Sequence, residues 1–82
     1  MPIATVQLLA GAFTREQKAQ LLEDIADAFV RMGGDEAFRS RVHLTINEVQ
    51  DGDWLVGGEL LTLEAVERRR AARRAQSRED GA

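Results

Sequence analysis

A hydrophobic period that changes from strand to helix and back to strand constrains this chain more than any other feature. From Ile3 to Leu9 the apolar residues Ile3, Val6, Leu8 and Leu9 form a short segment that ends at Gly11, the pattern of a largely buried strand. Thr14 and Gln17 have the spacing of a capping box. Beyond them Leu21, Leu22, Ile25, Ala28, Phe29 and Met32 share one helical face, with Lys18, Glu23, Asp27 and Arg31 opposite. Gly33-Gly34 supplies the residue that accepts a left-handed helix end. Val42, Leu44 and Ile46 then alternate with His43, Thr45 and Asn47, the period of a strand with one face in a core. The stretch between the two strands holds one helix and is long enough for a right-handed crossover, so the strands are expected to be parallel neighbours.

After the Asp51-Gly52-Asp53 turn, Leu55-Val56, Gly57-Gly58 and Leu60-Leu61 read as a short hairpin. Thr62 to about Gln76 is rich in helix formers, with Leu63, Val66 and Arg70 on a weak stripe; two or three helical turns followed by fraying are expected. The fold class is therefore α/β (α+β): a β-α-β protomer with parallel strands, a short hairpin and a C-terminal helical extension, assembled as an oligomer. Residues 1–63 form the expected domain and residues 64–82 an arginine-rich extension, read as a solvated capping helix.

Size explains the oligomer. A chain of 82 residues buries only about 60% of the surface that it exposes when unfolded, so its stability is marginal. It has no cysteine to staple it, and its single histidine cannot assemble a structural zinc site. Oligomerisation is the remaining route, because a lone protomer has an unpaired sheet edge and a half-covered face.

The apolar opening is interrupted by Thr5 and Gln7, unlike a secretory signal, and no run reaches the length of a membrane span. A cytoplasmic protein is expected, with no membrane partner. Residues 1–63 carry five basic and ten acidic side chains, whereas residues 64–82 carry six arginines and four acids. An acidic body argues against a nucleic-acid partner.

Pro2 is the only proline. Removal of Met1 would free a secondary amine of ring-fixed φ, able to act as a base when an apolar site and nearby cations keep it neutral. By position alone it reads more readily as the opening residue of a strand. The joint order of Met-Pro-Ile-Ala at the start, Arg15-Glu16-Gln17-Lys18 at the helix opening, Val42 to Glu48, and Trp54 before Gly57-Gly58-Glu59-Leu60 resembles the tautomerase superfamily. The resemblance is to its small-subunit branch, exemplified by 4-oxalocrotonate tautomerase, and covers roughly residues 2–60.

That resemblance implies a cofactor-independent isomerase built as a dimer and often as a trimer of dimers. Its amino-terminal proline transfers a proton between oxygen and carbon of a small enol or 2-keto carboxylic acid. Pro2 matches the catalytic base, and Trp54 falls where the family keeps an aromatic residue that holds the site dry. The two family arginines that bind carboxylate and polarise the carbonyl are displaced: Ala12 and a one-residue insertion stand at the first place, and His43 at the second. Arg39, Arg41 and His43 would share a face if extended chain began by Arg39, which makes Arg41 the first substitute, Arg39 the second and His43 a donor to substrate oxygen. Each also reads as an ordinary surface or contact residue. A related branch hydrates haloacrylates with a carboxylate two residues after the aromatic; Val56 stands there, which disfavours that reaction, and Glu48 reads better as a structural hydrogen-bonding group. No metal or other cofactor is expected. A homo-hexamer is favoured over a dimer. The alternative function is a non-catalytic oligomeric module, or an inactive subunit of a hetero-oligomeric tautomerase.

Overall fold

The computed structural model describes residues 1–81. In chain order it contains β1 (Ile3–Leu9), α1 (Arg15–Gly33), a 3₁₀ helix (Glu36–Arg41), β2 (His43–Val49), β3 (Leu55–Val56), β4 (Glu59–Leu60) and α2 (Leu63–Gly81). It is a mixed α/β fold with a β1-α1-β2 unit whose strands are parallel, a short antiparallel hairpin and a C-terminal helix. The chain forms two compact units, one of residues 1–8 with 13–48, the other of Leu9–Ala12 with the chain from Val49 onward.

In the first unit, α1 starts as its sequence predicts. The Thr14 hydroxyl accepts from the Gln17 N–H, and the Gln17 side chain accepts from the Thr14 N–H. The helix stops where Gly34 turns left-handed at φ 90° and its N–H donates to the Val30 carbonyl. β1 and β2 are offset by about forty positions: the His43 N–H donates to the Pro2 carbonyl at 3.0 Å, and the Thr45 and Thr5 hydroxyls meet at 3.3 Å. Ala4, Val6, Leu8, Leu44 and Ile46 are half-buried on the α1 side. Thr5, Gln7, His43, Thr45 and Asn47 face outward and are exposed.

Two expectations are corrected in this unit. β1 is not largely buried but alternates, with Ile3 72% exposed, because α1 covers only one face of a two-stranded sheet. Lys18 does not belong to the outer face of α1: its Nζ lies 3.0 Å from Glu48 Oε1 on β2, whereas Asp27, whose Oδ1 lies 2.7 Å from Arg39 Nη2, stays partly exposed.

In the second unit, the Ala10 N–H donates to the Val49 carbonyl at 2.8 Å. Gly11 turns the chain at φ 85°, where an added Cβ would come within 3.2 Å of Leu63. Leu9 and Ala12, at 4% and 6% exposure, are the buried apolar residues among those described. β3 and β4 pair Leu55 with Leu60 and Val56 with Glu59 across Gly57-Gly58, both at positive φ as a tight two-residue hairpin turn requires. α2 is capped by Thr62, whose hydroxyl accepts from the Ala65 N–H, and its stripe of Leu63, Val66 and Arg70 is half-buried. The Arg70 guanidinium donates to the Ala12 carbonyl at 2.8 Å. α2 does not fray after two or three turns but continues to Gly81; alanines and arginines are strong helix formers, so propensity carries the helix past its packed stripe. Ala82 of the expected extension lies outside the described residues.

Candidate active site

Pro2 immediately precedes β1 and is half-buried, with its carbonyl held by the His43 N–H. That bond opens the β1–β2 ladder, so the first backbone pairing of the sheet also fixes the residue expected to act as base. Its own nitrogen lies in the Met1–Pro2 peptide, and Met1 is 80% exposed. His43 is exposed on the outward face, in register beside Ile3. Arg41 is exposed at the end of the 3₁₀ helix.

The premise for a shared face of Arg39, Arg41 and His43 fails. Extended chain begins only at Val42, and Glu36–Arg41 is a 3₁₀ helix capped by Asp35, whose carboxylate accepts from the Phe38 N–H at 3.1 Å. With three residues per turn, Arg39 and Arg41 point in different directions. Arg39 turns toward α1 and donates to Asp27 and Glu36. Hydrogen bonds to Glu36 first, then to Asp27, hold its guanidinium above its ordinary pKa. It ties the 3₁₀ helix to α1. The partner Asp27 sits twelve residues away in sequence, outside the reach of any local pattern.

Glu48 pairs with Lys18, the structural role expected of it. Trp54, in the second unit, is half-buried just before β3, and its carbonyl accepts from the Leu61 N–H at 2.8 Å, closing the hairpin's base. Val56 is 52% exposed in β3.

Residues 2–64 match the family described as "Tautomerase enzyme", beginning at the proline and ending in the first turn of α2. Two curated relatives, each named as a probable tautomerase, come from Streptococcus pneumoniae, one from serotype 4 strain TIGR4 and one from strain R6. Each is 37% identical over 62 residues, covering 76% of this chain and 98% of the relative. A match that spans the whole β-α-β unit and hairpin, with relatives aligned almost end to end, means that this chain belongs to the tautomerase family.

Proposed function

We propose that this protein is a cofactor-independent keto-enol tautomerase of small enol or 2-keto carboxylic acids, with Pro2 as its base once Met1 is removed. The observation that supports this most is that the family match starts at Pro2 and runs through the complete β-α-β unit. The neutral Pro2 nitrogen takes the enol proton: the O–H bond breaks, an N–H bond forms, and an enolate is left. As an oxygen pair closes the carbonyl, the C=C π pair takes that proton back from the Pro2 ammonium, so the O–H and C=C π bonds are exchanged for C–H and C=O π bonds and the amine is regenerated.

Arg41 and His43 are assigned to the substrate oxygens, and Trp54 to excluding water from the assembled site. Residues 1–63 serve as the catalytic body and 64–82 as an added segment. The protein assembles with further copies of itself, favouring a hexamer, and works in the cytoplasm. Few buried side chains and exposed Met1, Ile3, Phe13, Met32, Leu55 and Val56 support self-association.

The test is enol-to-keto conversion of phenylpyruvate by three forms: processed protein, protein with Met1 retained, and Pro2→Ala. Activity of the processed form should rise with pH through one ionisation, because the neutral amine is the base. Pro2→Ala should retain a small part of it through a primary amine placed less well. Retained Met1 should abolish it, since an amide nitrogen has no basic lone pair. Equal activity with and without Met1 would refute a catalytic Pro2 and favour the inactive-subunit reading.

A further inference from the structure

The described cations divide into those already engaged and those that are not. Lys18 is paired with Glu48, Arg39 with Glu36 and Asp27, and Arg70 with Glu67 and the Ala12 carbonyl. Arg68 and Arg69 have no partner among the described residues, yet both line a groove of about 350 Å³ in the second unit. Ala65, Arg68, Arg69 and Ala72 follow the i, i+3, i+4, i+7 spacing of one helical stripe, roughly opposite the packed stripe of Leu63, Val66 and Arg70. The two alanines leave space along the middle of this stripe, with Arg68 and Arg69 flanking it on the helix.

Across the groove lie Leu60, 57% exposed, and Glu59. Thr62 closes the end: its oxygen already accepts from the Ala65 N–H, which leaves its hydroxyl hydrogen to donate.

We propose that this groove binds a small monocarboxylic acid with an apolar body. Arg68 and Arg69 hold the carboxylate, in the forked geometry that guanidinium offers to planar anions. Leu60, Ala65 and Ala72 receive the apolar part. Charge selects the ligand class: two guanidinium groups against the Glu59 carboxylate leave one net positive charge, which a monocarboxylate neutralises and a phosphate dianion overshoots. The volume lies in the range of small-ligand sites.

This site is separate from the reading of Pro2, and its Ala65, Arg68, Arg69 and Ala72 lie beyond the family match, whereas Glu59, Leu60 and Thr62 lie within it. The probe is phenylacetate, an acid with no enol to convert, titrated into the assembled full-length protein by NMR. Saturable shifts are expected at the amides of Thr62, Ala65 and Ala72. The double variant Arg68→Gln/Arg69→Gln should weaken binding about tenfold or more, as loss of charge-assisted hydrogen bonds requires. Arg73→Gln/Arg74→Gln removes the same charge from outside the groove and should change affinity less than about twofold, with both variants keeping the far-UV circular dichroism of intact α2. Pro2→Ala should leave binding unchanged, so failure of the tautomerase reading and failure of this one are read separately. Equal weakening by the two arginine pairs, tighter binding of inorganic phosphate than of phenylacetate, or shifts that never saturate would each overturn the proposal.

Discussion

Gly33 shows how closely single residues are constrained in this small protein. Its backbone is not left-handed, yet a Cβ built on it would lie 2.5 Å from the Phe38 ring, so the ring rests where a side chain would be. Gly33→Ala is expected to cost about 1–3 kcal/mol through overpacking, read as a lower unfolding midpoint in urea. Arg39 is constrained by charge instead. Its ion pairs with Asp27 and Glu36 are partly exposed, so Arg39→Ala should cost less than about 1 kcal/mol and leave KM for phenylpyruvate unchanged. Arg41→Ala and His43→Ala are expected to behave differently: loss of a donor to the developing oxyanion should lower kcat/KM on the order of 10²–10³ at a well-formed site while the fold persists. A KM that rises in Arg39→Ala as much as in Arg41→Ala would return Arg39 to the binding machinery.

Among the elements, α1 depends most on its ends and α2 on its first half. The reciprocal Thr14–Gln17 bonds satisfy two donors that the helix itself cannot, so Thr14→Ala is expected to cost about 1 kcal/mol. In a chain of this size that is a fall in melting temperature of about 4–8 °C. α2 is anchored by Leu63, Val66 and Arg70, whereas its residues from Ala71 to Ser77 are exposed. Deleting residues 77–82 should therefore shorten the helical signal in circular dichroism and leave the melting temperature and turnover nearly unchanged. A large loss of thermal stability would show that the distal part of α2 is packed in the assembled protein.

For the molecule as a whole, the uncovered outward face of β1–β2 and the exposed large apolar side chains leave little to hold a lone protomer together. No folded 9 kDa species is expected at micromolar concentration; sedimentation velocity that finds one would contradict this. The β-α-β order, the capping box, the Gly34 stop and the Gly57-Gly58 hairpin were legible in the sequence because each depends on neighbours a few residues apart. The same locality made Leu63, Val66 and Arg70 readable as one stripe, whereas the partner of Glu48, Lys18, sits thirty residues away. Pro2 and Trp54 stood out through the order of short motifs. What periodicity could not reach was decided by tertiary structure. A 3₁₀ helix replaced the extended start at Arg39 because Asp35 caps it and Asp27, twelve residues back, draws the guanidinium toward α1. β1 alternates in exposure because a two-stranded sheet has one helix to cover it, and whether a strand is buried on one face or two depends on neighbours that its own residues do not encode.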